Sequence, residues 1–142
     1  MGQIQAVVEQ VGSSTSKGTA RTHTVVIDRP AAKGGDDRGP MGGEYLLIAL
    51  GGCFMSNLLA AARAREAEIA DARVTVTGTI EGTPERFTAF TLSIAATCDP
   101  DTLRKLVTIA ERACIVSNTL KEVGAISILF EEAQAGEALT AS

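Results

Sequence analysis

The sequence predicts an α+β fold in which two long central helices pack against an antiparallel β-sheet. A stretch without charge at residues 45–62 is long enough for a buried helix, and a second helical pattern begins at Asp99 and Pro100. Between and around these segments, short runs rich in β-branched residues are separated by turn residues, which is typical of strands. The predicted order of elements is β-β-α-β-β-α-β.

Two strands are predicted near the N-terminus. Residues 4–11 contain a short β-like apolar run, and residues 21–28 contain five β-branched side chains. Residues 12–18 are rich in Gly and Ser and are predicted to be a turn, so the two runs are expected to pair as a hairpin. Residues 30–43 hold five Gly and two Pro, which indicates a loop.

The first long helix is predicted at residues 44–68. Its uncharged part reaches the lower limit of a membrane-spanning length. Gly51, Gly52, Ser56 and Asn57 dilute its apolar character, so a buried helix is favoured over a membrane span. Because a chain this short rarely surrounds an apolar helix on all sides, we expect a partner subunit to cover one face.

Two further strands are predicted at residues 72–81 and 86–97, which have alternating patterns and are expected to pair in antiparallel fashion. Residues 125–130 are predicted to form the last strand. The tail from residue 131 onward is expected to be frayed.

The second helix is predicted from its start signal. Asp99 is a favourable N-cap, and Pro100 is a favourable first helical residue. Apolar positions then follow helical spacing past Cys114, and Gly124 ends the run. This spacing would place Cys114 on the inward face of one long helix.

The composition narrows the class of protein. The chain has 142 residues, 13 Lys and Arg, 17 Asp and Glu, and a net charge of −4. This length predicts a single domain over residues 1–142, and the mild acidity argues against nucleic-acid binding. The first residues lack the basic and apolar regions of a secretory signal, so a cytoplasmic protein is expected. There, free cysteines are either buried hydrophobes or reactive thiols.

The three cysteines are the strongest candidates for chemistry. A metal site is not favoured, because His23 is the only His, fits a strand position, and no C-x-x-C motif is present. Cys53 follows two Gly in the first helix, where small neighbours leave room for a substrate, and an inward Cys114 on the second helix could meet it. Cys98 ends a strand and is interpreted as structural. The alternative for each is a small buried hydrophobe.

Three segments resemble the OsmC/Ohr family. Residues 39–53 read G-P-M-G-G-E-Y-L-L-I-A-L-G-G-C, which resembles the family's first cysteine motif. Asp28-Arg29-Pro30, followed by two Gly, resembles the segment that precedes it. Residues 114–120 read C-I-V-S-N-T-L and resemble the second motif, Cys-Pro-x-Ser-Asn, with Ile115 in place of Pro. The resemblance covers nearly the whole chain.

This resemblance implies an intertwined homodimer with active sites at the subunit interface. The implied activity is a thiol-dependent peroxidase that reduces organic hydroperoxides to alcohols without a cofactor. Cys53 matches the peroxidatic Cys, which becomes a sulfenic acid, and Cys114 matches the resolving Cys, which forms a disulfide with it. An external thiol or dithiol, of the lipoyl type, would then reduce the pair.

The family also uses an Arg held by a Glu to favour the thiolate. Glu44 matches this Glu by motif, and the Arg is expected in the first hairpin, which indicates Arg21, with Arg29 and Arg38 as alternatives. In a helix, Glu44 would lie about 180° and about 13 Å from Cys53, so it would point elsewhere or serve the partner's site.

Two other functions stay open. One is an OsmC-like protein with a different or lost peroxidase role. The other is a small-molecule or lipid-binding dimer in which Cys53 merely lines an apolar pocket.

Overall fold

The computed structural model describes residues 2–131 and 138–141, and it confirms the α+β class. The chain divides into two compact units, residues 1–46 and 47–142. The expectation of a single domain over residues 1–142 stays a prediction.

The first unit contains a three-stranded antiparallel sheet. Its strands are β1 (Val7–Gln10), β2 (Ser16–Ala20) and β3 (His23–Ile27), with β2 in the centre. The predicted hairpin between residues 4–11 and 21–28 is wrong, because part of the predicted turn forms a strand that pairs with both neighbours. Ladder hydrogen bonds on both edges of β2 outweigh the low strand propensity of its residues.

Arg21 lies in the turn between β2 and β3 rather than in a strand. Its backbone adopts a positive φ of 56°, in the left-handed region. The strand predicted at residues 21–28 therefore begins two residues later, at His23. The interpretation of His23 as a strand residue is confirmed, and its side chain is exposed.

A buried carboxylate organises the loop that follows β3. Asp28 is 2% exposed, and its side chain accepts hydrogen bonds from Thr15 Oγ1 at 2.8 Å and from the backbone N–H groups of Arg29 at 2.7 Å and Arg38 at 3.2 Å. Burial by itself would raise the pKa of Asp28, but these hydrogen bonds outweigh it and hold the pKa well below its usual range. Asp28 is therefore ionised throughout the physiological range.

Two glycines of this loop are required by close backbone approach. A Cβ on Gly35 would overlap the carbonyl of Arg29, and one on Gly39 would overlap the carbonyl of Val26. The predicted loop contains one short 3-10 turn, Ala31–Lys33.

Helix α1 (Gly42–Ala64) begins in the first unit and continues in the second. The predicted range, residues 44–68, is correct for most of its length. At its start, Tyr45 Oη donates to the carbonyl of Val26 at 2.7 Å.

The second unit contains a four-stranded sheet. Its strands are β4 (Ala70–Glu81), β5 (Arg86–Thr97), β6 (Ala125–Phe130) and β7 (Ala138–Ala141), in that order. The pair β4 and β5 is antiparallel as predicted, β5 and β6 are parallel, and β6 and β7 are antiparallel. A helical crossover joins β5 and β6, and such a connection returns the chain in the same direction.

The C-terminal tail was expected to be frayed from residue 131. Instead, β7 pairs with β6 within that tail. Residues 132–137 and residue 142 lie outside the described residues.

The predicted second helix is interrupted. Helix α2 (Pro100–Ala113) begins as expected, with Asp99 accepting from the Thr102 N–H at 3.0 Å. It ends before Cys114, whose backbone is extended (φ −77°, ψ 106°), and a short helix α3 (Ile115–Leu120) follows. The end of α2 leaves backbone carbonyls without a partner in the helix. The side chain of Asn118 satisfies one of them, since its Nδ2 donates to the Arg112 carbonyl at 3.1 Å.

The core of the second unit lies between one face of α1, helix α2 and the sheet. A Cβ on Gly51 would come within 2.8 Å of Val76 Cγ2, so this glycine allows α1 to lie close to β4. Fully or almost fully buried side chains fill the core: Leu50, Phe54, Leu58, Phe90, Leu92, Ile94, Leu103, Leu106, Val107, Ala110, Ile126 and Ile128.

The opposite face of α1 is open in the single chain. Ile48 and Leu59 are 55% and 45% exposed, while Leu50 and Phe54 are completely buried. Among the described residues, α1 is the helix whose length and mean hydropathy of 1.8 would suit a membrane span, a criterion that core helices of soluble proteins also meet.

Candidate active site

Cys53 lies near the middle of α1 and is half-buried. A Cβ on the preceding Gly52 would meet no atom within 4 Å, so the helix surface beside Cys53 is open. Asn57, one turn later, donates its Nδ2–H to the Cys53 carbonyl at 2.9 Å and makes a long contact of 3.8 Å with Cys53 Sγ. An amide donor therefore accompanies this sulfur on the same helix face.

Cys114 is completely buried at the junction between α2 and α3. Its position corrects the prediction that it lies on the face of one continuous helix. Cys114 Sγ acts as the N-cap acceptor of α3 and receives the backbone N–H of Ser117 at 3.4 Å.

The structure places the Cys53 and Cys114 thiols close enough for each to affect the ionisation of the other, since Cys53 is among the groups that raise the pKa of Cys114. Burial, the contact with Cys53 and a charge on that sulfur together raise the pKa of Cys114 from 9.0 to about 11, although backbone N–H groups oppose the rise. Burial is the largest of these causes, and the two that come from Cys53 favour the protonated form of Cys114.

The two thiols are therefore unequal. At neutral pH, Cys114 keeps its proton and is shielded from solvent, whereas Cys53 is partly accessible. A thiolate that attacks a substrate must be accessible to that substrate, whereas a thiol that reacts only with a neighbouring residue can stay buried.

Cys98 is half-buried immediately after β5. It lines a cavity of about 930 Å³ together with Ala67, Leu106 and Ile109, and neither Cys53 nor Cys114 is among the residues that line this cavity. This placement agrees with its interpretation as a bystander, although its role stays a prediction.

Glu44 occupies the third position of α1. Its Oε1 accepts the backbone N–H of Met41 at 2.8 Å, which is one half of a capping box. Arg21, Arg29 and Arg38 are exposed, and within the described residues Glu44 forms no ion pair with any of them. These four residues lie in the first unit, and their predicted roles stay predictions.

Asn57 was not singled out by the sequence. It could have been found, since it lies four residues after Cys53 and hence on the same helix face. Ser117 belongs to the second motif, but its place beside Cys114 depends on the helix junction, which has no clear sequence signal. Among the described residues, no group of three or more His, Cys, Asp or Glu could hold a metal ion.

Comparison with known proteins identifies the family. A family model described as OsmC-like protein matches residues 34–128. Among curated proteins, no match was found.

Solved structures share the fold. An organic hydroperoxide resistance protein OsmC from Legionella pneumophila is 18% identical over 93% of this chain and 98% of its own, with a TM-score of 0.69. An organic hydroperoxide resistance protein from Elizabethkingia anophelis is 15% identical over 93% and 97%, with a TM-score of 0.71. An OsmC-like protein from Mycoplasma pneumoniae is 16% identical over 92% and 96%, with a TM-score of 0.77. Since the family model spans well over half of the sequence, the chain belongs to the OsmC-like family.

Proposed function

We propose that the protein is a thiol-dependent peroxidase that reduces organic hydroperoxides to alcohols. The observation that carries the proposal is the contact between a half-buried thiol, Cys53, and a fully buried thiol, Cys114, that keeps its proton. The names of solved structures with the same fold, which include organic hydroperoxide resistance proteins, support the same activity.

In the proposed cycle, the Cys53 thiolate attacks the terminal oxygen of the hydroperoxide. The O–O bond breaks, the terminal OH group is transferred to the sulfur to give a sulfenic acid, and the alkoxide leaves as the alcohol after it takes up the proton that Cys53 released on ionisation. Cys114 then attacks this sulfur, the S–O bond breaks, and water and a disulfide result. An external dithiol of the lipoyl type reduces the disulfide by two exchange steps, which restores both thiols.

Formation of the Cys53 thiolate requires favourable charges or donors nearby. The Asn57 amide is one such donor, since its Nδ2 lies 3.8 Å from the sulfur. Glu44 and Arg21 are the further residues that the family resemblance assigns to this task, with Arg29 and Arg38 as alternatives to Arg21.

The protein is proposed to work as a homodimer. Ile48 and Leu59 are large apolar side chains on the open face of α1, and Gly52 on the same face leaves space for a second helix. Burial of such an exposed apolar face against a partner protein is more favourable than its exposure to water. A cytoplasmic location would supply the reductant that the cycle needs.

Steady-state consumption of cumene hydroperoxide, with dihydrolipoamide as reductant, tests the function. Cys53→Ser should abolish consumption while circular dichroism stays unchanged, because the substitution is nearly isosteric. Cys98→Ser is the matched control and should retain the wild-type rate. Turnover by the Cys53→Ser variant, or an equal loss in both variants, would contradict the assignment.

One observation favours a second function, the binding of an apolar small molecule or lipid. A cavity of about 390 Å³ lies between α1 and β4, next to Gly52, with Val74 and Val76 among its apolar walls. Intact mass separates the two functions. A peroxidase gains one intramolecular disulfide after one equivalent of hydroperoxide, whereas a binding protein stays reduced.

A further inference from the structure

The hydroxyl of Ser117 lacks an explanation in the fold. Ser117 is 2% exposed, and among the described residues its Oγ has no hydrogen-bond partner. Buried polar groups in native proteins almost always have a hydrogen-bond partner, because a buried group without one costs about 1–3 kcal/mol of folding free energy. A buried hydroxyl without a partner therefore requires an explanation.

Ser117 is also adjacent to the thiol pair. Its backbone N–H donates to Cys114 Sγ at 3.4 Å, which fixes the residue beside the sulfur. Cys114 itself is completely buried. Its pKa is affected by Cys53 and by the backbone N–H groups of Ser117 and Val116.

The chemistry of the proposed cycle creates a need for one more donor at this place. When Cys114 attacks the Cys53 sulfenic acid, it must give up its proton and carry a negative charge inside the protein. The same charge forms in reverse when the reductant opens the disulfide and Cys114 leaves. A buried thiolate without sufficient donors is strongly disfavoured.

We propose that the Ser117 hydroxyl is the donor held for this charge: it turns toward Cys114 Sγ and hydrogen-bonds the thiolate during disulfide formation and reduction. The inference rests on the proposed function for its place in the cycle. In the resolving step Cys114 Sγ bonds to Cys53 Sγ, hydroxide leaves Cys53, and the proton from Cys114 converts it to water. The hydroxyl of Ser117 stabilises the charge without being consumed.

Single-turnover oxidation tests this role. Reduced protein is mixed with one equivalent of cumene hydroperoxide and quenched in acid, and intact mass separates thiol, sulfenic acid and disulfide. Ser117→Ala should form the sulfenic acid at the wild-type rate but resolve it about tenfold more slowly, because a hydrogen bond to a charged group is lost. The difference should shrink as the pH rises, because Cys114 then ionises without help.

Thr119→Ala is the matched control, because it removes an exposed hydroxyl of α3 that binds the Ile115 carbonyl at 2.8 Å. If the Ser117 hydroxyl had only a structural role, the resolving rate in Ser117→Ala would be the same as in the wild type. Equal resolving rates in wild type and Ser117→Ala at every pH would overturn the inference.

A second measurement separates this inference from the proposed function. In a Cys53→Ala, Cys98→Ala background, ultraviolet absorbance follows thiolate formation at Cys114 without any peroxide. Adding Ser117→Ala should raise the pKa of Cys114 by about one unit. An unchanged pKa refutes the role of Ser117, whereas failure of the wild type to react with hydroperoxide refutes only the peroxidase.

Discussion

The difference between the two thiols predicts a large difference in alkylation. The pKa of Cys114 is raised by two units, from 9.0 to about 11. Below pH 9, each unit removes nine-tenths of the reactive thiolate, so Cys114 in the folded protein should carry about one-hundredth of the thiolate that it carries when unfolded. Complete burial slows the reagent further.

The assay is iodoacetamide labelling at pH 8, with and without urea, followed by peptide mass mapping. Cys114 should be alkylated at least about a hundredfold more slowly in the folded protein than in urea. Its rate should rise about tenfold for each pH unit until close to pH 11. Cys53→Ala removes two of the causes that raise the pKa, so it should accelerate labelling of Cys114 part of the way toward the unfolded rate.

The unfolded protein is the control for Cys114, because it presents the same residue with an ordinary pKa. Equal labelling rates for Cys114 in the folded and unfolded protein would refute the reasoning. So would a rate that does not change in Cys53→Ala, since the contact between the two sulfurs would then have no effect on ionisation.

Two further predictions concern stability. Because the pKa of Asp28 is lowered on folding, its contribution to stability is present above the ordinary value of 3.8 and is lost as the pH falls below it. Asp28→Asn should therefore lower the urea midpoint at pH 7, and the difference in midpoint between the variant and the wild type should become smaller in acid. A difference that does not change with pH would contradict this account. In α1, Gly51→Ala forces a methyl group into a contact of 2.8 Å and should cost about 1–3 kcal/mol in urea unfolding. Gly52→Ala meets open space and should be tolerated at protein concentrations where the chain is monomeric, and equal losses in both variants would contradict the packing.

Strong local signals account for the elements that were predicted correctly. Asp99 and Pro100 form a helix start that does not depend on distant contacts, and the predicted bounds of residues 86–97 and 125–130 match β5 and β6. Strand β2 has no such signal, because Ser, Lys and Gly favour turns. It forms because β1 pairs with one of its edges and β3 with the other. These pairings are long-range contacts, so a short window of sequence does not show them.

The meeting of Cys53 and Cys114 was expected from their places on two helices, and the two cysteine motifs indicated the same pair. The junction at Cys114 was missed. In the family motif a Pro follows this Cys, and the residue before Pro avoids helical backbone. Ile115 lacks that constraint, and yet Cys114 is extended here, because Cys114 Sγ and the Asn118 amide satisfy backbone groups that the interrupted helices leave open.

The contact between the sulfurs also explains why the two steps of the proposed cycle occur in order. A charge on Cys53 and its contact with Cys114 both help to keep the proton on Cys114. Oxidation converts Cys53 to a neutral sulfenic acid, so the charge that raised the pKa of Cys114 disappears at the moment when Cys114 must ionise. Burial still opposes ionisation, and the remaining donors at the junction, the backbone N–H and the hydroxyl of Ser117, then decide the rate. In the proposed cycle, we therefore expect Cys53 to suppress premature reactions of Cys114 while it is reduced, and its oxidation to remove that suppression.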